Sequence, residues 1–236
     1  VELTPRIGTE IRTDIETLVS GRYATQIREL LEHRGVRILR GLHLDKDQQL
    51  AFSHTLGKVQ PQGDGGIFKI SIDPKESPGA EYVKGSFFWH IDGATDDVPN
   101  FAATLSARTL SRTGGSTYFA NTYAAYDDLP EEDKQVYDQL RVVHSFEFVQ
   151  RWVNPEPGSL ELAFWQTRTP KVHPLVWKHA SGRKSLVLGS TAEYVQDMDM
   201  AQGRALVTRL REWSTQPQFV YRHDWQPGDL LIWDNT

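Results

Sequence analysis

The sequence predicts a mainly β protein with flanking helices, a β-sandwich or jelly roll rather than a doubly wound α/β sheet. Three observations predict it. Short apolar, strand-like runs recur along most of the chain; turn residues such as Gly114-Gly115, Ser181-Gly182 and Pro227-Gly228 separate them; and only a few segments carry helical spacing. No repeat, low-complexity tract or long charge block divides the chain, so residues 1–236 read as one domain. A chain of this length buries a core without a disulfide or a structural metal.

Each element follows from local pattern. Ile27, Leu30 and Leu31 fall at helical spacing within residues 20–34, and Gly35 supplies the stop. Residues 36–40 read as a short strand. Asp45-Lys46-Asp47-Gln48 has the pattern of a capping box and opens a helix that runs to about Leu56 and ends at Gly57. Residues 68–72 alternate apolar and polar, which predicts a half-buried strand. Further strands are expected at 101–107, 116–120, 142–148, 172–177, 185–188, 218–222 and 229–233. Two helices interrupt the series, over 130–140 with Pro130 at its first position, and over 199–213 with Leu206, Leu210 and Trp213 on one face. Both are expected outside the barrel. The Gly- and Pro-rich segment 58–88 is either a lid over a site or a solvated surface loop.

Composition narrows the function. The chain has no cysteine, which excludes disulfide frameworks, thiolate zinc sites, iron–sulfur clusters and cysteine nucleophiles. A net charge of −5 argues against a nucleic-acid binder, which needs a basic face. No apolar run is long enough to span a bilayer and no signal peptide opens the chain, so a cytoplasmic protein without a membrane partner is expected. Its partner is then a small molecule, with a homo-oligomer left open.

The residues with most chemistry are Trp89-His90-Ile91-Asp92-Gly93. On a strand, positions i and i+2 share a side, so the His90 imidazole and the Asp92 carboxylate can converge on one ion. They would form two-thirds of a 2-His-1-carboxylate triad, the set that holds Fe(II) with open positions. A local hydrogen bond between the two is the competing reading. A second triplet, His43-Leu44-Asp45, is explained by Asp45 as a helix cap. A zinc hydrolase would want further histidines nearby, and none flanks His90.

Four segments in order carry a resemblance: Trp89-His90-Ile91-Asp92; Gly114-Gly115-Ser116-Thr117; His173-Pro174 followed by Ser181-Gly182-Arg183; and Gly228-Asp229 through Trp233-Asp234-Asn235. From about Ile38 onward the chain resembles the taurine dioxygenase-like family of Fe(II)- and 2-oxoglutarate-dependent dioxygenases. The resemblance implies a double-stranded β-helix (jelly roll) and hydroxylation of a small organic substrate by O2, with succinate and CO2 as coproducts. It implies that His90 and Asp92 are iron ligands and that Thr117 binds 2-oxoglutarate. The third histidine ligand and an arginine that pairs with 2-oxoglutarate are expected beyond Thr236, so the chain is expected to be truncated before its last strands. His144, His173, His179 and His223 are expected to be hydrogen-bonded rather than metal-bound. An iron-free jelly-roll binding or sensor module is the competing function.

The same resemblance makes taurine a doubtful substrate. Residues 58–62 lack the histidine with which taurine-oxidising relatives grip a sulfonate, and Ser86-Phe87-Phe88 stands where those relatives are polar. Ser86 and Phe87 are therefore candidate substrate contacts. A larger or more apolar molecule is expected under the 58–88 segment, with Lys69 or Lys84 available to an anion and Trp89, Phe87 and Phe88 as a dry wall.

Overall fold

A computed structural model describes residues 1–60, 63, 66–76 and 80–236. In chain order the elements are β1 (Thr9–Glu10), α1 (Ile15–Val19), α2 (Ala24–Arg34), β2 (Val36–Leu39), α3 (Lys46–Leu56) and α4 (Ala80–Val83). There follow β3 (Ala102–Ser106), β4 (Thr117–Ala120), α5 (Thr122–Asp127), α6 (Glu131–Tyr137), β5 (Arg141–His144), α7 (Phe146–Val153) and α8 (Ser159–Gln166). The rest comprises β6 (Lys171–Pro174), β7 (Val176–Lys178), β8 (Lys184–Leu186), β9 (Ala192–Val195), α9 (Met200–Ser214), β10 (Val220–His223) and β11 (Leu230–Asp234). They divide between two compact units, the first built from Val1–Lys69, Phe101–Asn121 and Pro217–Asn235, the second from Ile70–Asn100 and Thr122–Gln216. Helix is more prominent than a mainly β reading allows: α9 runs for 15 residues, against 5 for β3 and β11. The fold is a mixture of sheets and helices.

In the first unit a four-stranded sheet has the order β1-β2-β11-β3, with β1 parallel to β2 and the other pairs antiparallel. Its central strands are apolar without interruption at Leu230-Leu231-Ile232 because both faces are covered. Leu39, Leu230 and Ile232 pack on Leu18 of α1, Ile27 and Leu31 of α2, and Phe52 and Leu56 of α3. Val36, Ile38 and Leu231 face the other way, onto Ile7, with Phe119, Tyr221, Trp225 and Trp233 around them. A separate antiparallel ribbon of β4 and β10 sets Thr117 opposite His223. The capping box of α3 is formed as expected: Asp45 Oδ1 accepts the Gln48 N–H at 2.8 Å, and Gln48 Oε1 accepts the Asp45 N–H at 3.0 Å. That bond accounts for the second His-x-Asp triplet.

In the second unit β6-β5-β9 form an antiparallel sheet, with an irregular step between Val143 and His144, and β7 and β8 form a hairpin. Helix α9 is capped by Asp199, which accepts the N–H groups of Ala201 and Gln202, and packs on β9. Its buried face is Gly203, Val207, Leu210 and Ser214, so Leu206 and Trp213 lie on its flank; the Trp213 indole donates to the Ala125 carbonyl at 2.9 Å.

Three expectations fail for physical reasons. Residues 68–72 form no strand; Phe68, Ile70 and Ile72 are all exposed, and no strand pairs with them among the described residues. The run 142–148 is a strand only to His144, because the Ser145 hydroxyl accepts the Phe148 N–H and starts α7. Pro130 is the cap of α6 rather than its first residue. Residues 61–62, 64–65 and 77–79 of the 58–88 segment, read as either a lid or a surface loop, lie outside the described residues. No helix is long and apolar enough to cross a membrane among the described residues.

The contact between α9 and β9 is testable. A Cβ on Gly203 would lie 2.9 Å from the Val195 nitrogen and 3.2 Å from its carbonyl oxygen, both backbone atoms that cannot swing away. Gly203→Ala gains roughly 1 kcal/mol of helix propensity yet is expected to lower stability by about 1–2 kcal/mol net through overpacking. Chemical denaturation checks this, and a stabilised variant would contradict it.

Candidate functional site

His90 and Asp92 do converge, but not on a strand. Residues 89–91 are irregular and Asp92 opens a turn closed by Ala94 N–H to Ile91 O at 3.3 Å and Asp96 N–H to Gly93 O at 2.8 Å. His90 Nε2 lies 3.4 Å from Asp92 Oδ1, and the two side chains are 37% and 35% exposed. His90 Nδ1 is 2.8 Å from the Phe88 carbonyl, which can only accept, so Nδ1–H donates to it; Nε2 faces the Asp92 carboxylate, donating to it when the ring is protonated and offering a lone pair when the ring is neutral. Burial pulls the His90 pKa down, but the Asp92 hydrogen bond and charge, with the Phe88 carbonyl, outweigh it and raise it. One imidazole nitrogen and one carboxylate oxygen on a half-exposed turn are donors that suit a divalent first-row metal, which these two residues would hold. Among the described residues no third His, Cys, Asp or Glu joins them in such a group.

The turn is held from outside by its neighbours in the second unit. The Ser190 N–H donates to the Trp89 carbonyl at 2.7 Å, and His173 Nε2 donates to the Ala94 carbonyl at 3.0 Å. Lys171 pairs with Asp97 at 2.6 Å, a hydrogen bond that lowers the Asp97 carboxyl pKa. Gly189 has φ +128°, and a Cβ there would sit 3.0 Å from His90 Cα. The expected dry wall is only partly formed: Phe88 stacks edge-on to Trp152 at 5.2 Å, whereas Phe87 is 73% exposed. Ser86 is exposed too, its hydroxyl donating to the Val83 carbonyl at 2.6 Å.

Thr117 belongs to the first unit, at the start of β4. Its Oγ1 accepts the Trp225 indole N–H at 2.9 Å. Nearby, His223 and Asp229 are fully buried and 3.1 Å apart. Burial, then the Arg40 charge, lower the His223 pKa against the pull of Asp229, so the ring is neutral at neutral pH. Sequence reading missed this network and Gly189. The only signal for the network was Trp225-Gln226-Pro227-Gly228-Asp229, whose turn chemistry hides the burial of its aspartate.

The histidines expected to be hydrogen-bonded, His144, His173, His179 and His223, all are. His144 Nδ1 meets Thr191 Oγ1 at 2.9 Å, and His179 Nε2 meets Ser185 Oγ at 2.8 Å. His144 is fully buried beside His173, at 5.4 Å between ring centroids. Burial, with a smaller contribution from His173, pushes its pKa down to about 3.

Two predictions follow from this geometry. Gly189→Ala forces a residue with a Cβ into a left-handed backbone against His90, and it is expected to weaken Mn(II) binding about tenfold, read by titration on the folded variant; unchanged affinity would refute the clamp. His144 is neutral when folded but takes a proton below pH 6.5 when unfolded. Stability therefore falls as pH drops from 6.5 towards 3, by up to about 1.4 kcal/mol per pH unit from this group. Denaturation at pH 7 and pH 5 should show that loss, and a smaller one for His144→Gln.

The family model described as "Taurine catabolism dioxygenase TauD, TfdA family" matches residues 1–236. The chain is 35% identical over 230 residues to the alpha-ketoglutarate-dependent 2,4-dichlorophenoxyacetate dioxygenase of Burkholderia sp. (strain RASC), covering 87% of this chain and 75% of that protein. It is 33% identical over 248 residues to an alkylsulfatase of Acinetobacter baylyi, covering 99% of this chain and 76% of that protein. The crystal structure of AAD-2 in complex with Mn(II) and N-oxalylglycine superposes with a TM-score of 0.85 at 28% identity, over 100% of this chain and 86% of that one. With a family model that spans every residue, the chain belongs to the TauD/TfdA family of dioxygenases, and the oxidoreductase class expected from its sequence stands.

Proposed function

We propose that this dioxygenase binds Fe(II) through His90 and Asp92 and uses 2-oxoglutarate and O2 to hydroxylate a small organic anion with an apolar body. The convergence of His90 Nε2 and Asp92 Oδ1 at 3.4 Å, with the imidazole tautomer set by the Phe88 carbonyl, is the observation that carries it. Iron held there supplies the oxidising chemistry: substrate, 2-oxoglutarate and O2 give hydroxylated substrate, succinate and CO2. The chain's own share is ligation, orientation and exclusion of water. Thr117 donates its hydroxyl proton to a carboxylate oxygen of 2-oxoglutarate. A histidine and an arginine following Thr236 complete the iron and 2-oxoglutarate sites within one jelly-roll domain, and we assign the protein to the cytoplasm.

The substrate reading rests on the relatives and on the rim of the site. Curated relatives carry names for 2,4-dichlorophenoxyacetate, (S)-phenoxypropionate and sulfate ester oxidation. Each of those molecules joins an anion to a larger apolar group. An exposed Phe87 beside Ser86 suits such a body better than it suits taurine.

The test is succinate formation by the protein extended past Thr236, with Fe(II), 2-oxoglutarate and a panel of aryloxyalkanoates, alkyl sulfates and taurine. Turnover is expected with the first two classes, and a loss of at least about 100-fold in His90→Ala and Asp92→Ala. Unchanged turnover in either variant would refute the ligand assignment. Taurine-dependent sulfite release as fast as the best alternative would refute the substrate class.

A further inference from the structure

A hydroxyl carries one proton and two lone pairs. Because Thr117 Oγ1 already accepts the Trp225 indole N–H at 2.9 Å, its own proton is turned away from the indole. Trp225 is itself held. Its ring stands edge-on to His223, with centroids 4.6 Å apart at 87°. Neutral His223 donates Nε2–H to Asp229 Oδ2 at 3.1 Å and accepts the Tyr221 hydroxyl at Nδ1 at 3.2 Å. The same Asp229 oxygen accepts Arg40 Nη1 at 2.5 Å and the Gln226 N–H at 2.9 Å. One buried carboxylate thus pins the chain on both sides of Trp225, through His223 before it and Gln226 after it.

We propose that Trp225 is a positioning residue for 2-oxoglutarate: its N–H orients the Thr117 hydroxyl to donate to the cosubstrate carboxylate, and the Arg40–Asp229–His223 network holds the indole in that pose. This rests on Thr117 contacting 2-oxoglutarate, as proposed above. A hydroxyl already aimed loses less rotational freedom when the anion arrives, so the gain is in binding more than in turnover.

The experiment measures 2-oxoglutarate binding by calorimetry on the extended, Mn(II)-loaded protein, and KM and kcat for 2-oxoglutarate on the Fe(II) enzyme. Trp225→Phe is expected to weaken binding about three- to tenfold, with KM rising by more than kcat falls. Thr117→Val is expected to weaken it as well, and Trp225→Phe added to Thr117→Val should cost nothing further. Benzothienylalanine at position 225, which keeps the ring size and replaces N–H by sulfur, should reproduce Trp225→Phe and guards against a folding defect in the smaller ring. If Thr117→Val weakens binding while neither change at 225 does, the role of Trp225 is refuted and that of Thr117 stands. If the two losses add in the double variant, Trp225 acts independently of Thr117 and the proposal falls. If Thr117→Val binds 2-oxoglutarate as the parent does, the reading of Thr117 falls and takes this inference with it.

Discussion

The first unit depends on the placement of β11. This strand is hydrogen-bonded along both edges, to β2 and to β3, and Leu230, Leu231 and Ile232 are buried on both faces. Asp229 is the residue that leads into it, so seating the strand also carries a carboxylate out of water. That costs several kcal/mol unless donors are waiting, and here Arg40, His223 and the Gln226 N–H all converge on Oδ2, while Oδ1 is buried without a partner. Exposed pairs such as Arg12–Glu10 contribute at most about 1 kcal/mol. A buried carboxylate stripped of its cation costs about 3–5 kcal/mol. The Asp229 cluster therefore matters to the fold in a way the surface pairs do not, and the order it imposes reaches Thr117 through Trp225.

The second unit solves a different problem. Its two candidate ligands lie on a turn, which by itself is softer than a strand. Stiffness comes from contacts that do not touch the ligand atoms: one backbone N–H from Ser190, one imidazole from His173, and the bare Cα of Gly189 against His90. These groups fix backbone rather than side chain, and the imidazole and carboxylate remain partly exposed.

Local chemistry in the sequence was legible wherever a short-range bond decides the structure. The Asp45–Gln48 capping box, the stop at Gly35 and the start of α9 at Asp199 all follow from bonds and backbone freedom that act within a few residues. The pairing of His90 with Asp92 was legible for the same reason, although a turn rather than a pleat brings them together. What failed were patterns whose meaning depends on distant partners. The alternation at Phe68, Ile70 and Ile72 looks like a half-buried strand until no sheet covers it. The apolar run after Val142 is divided by a single Ser145 hydroxyl, and α8 was missed because its one fully buried anchor, Trp165, shows no periodicity in so short a helix. The Asp229 network was hidden since nothing local separates a buried aspartate from a turn aspartate.

The central position of β11 also has a consequence for biosynthesis. Arg40 and Asp229 are 189 positions apart, and β2 cannot gain its antiparallel neighbour until residues near the far end of this sequence have been translated. While the ribosome works through the intervening chain, the apolar edge of β2 and the underside of α2 and α3 lack the strand that covers them. Closing so distant a pair is slow compared with forming helices or hairpins. The first unit is thus completed late, only once β11 has been made and can pair with β2.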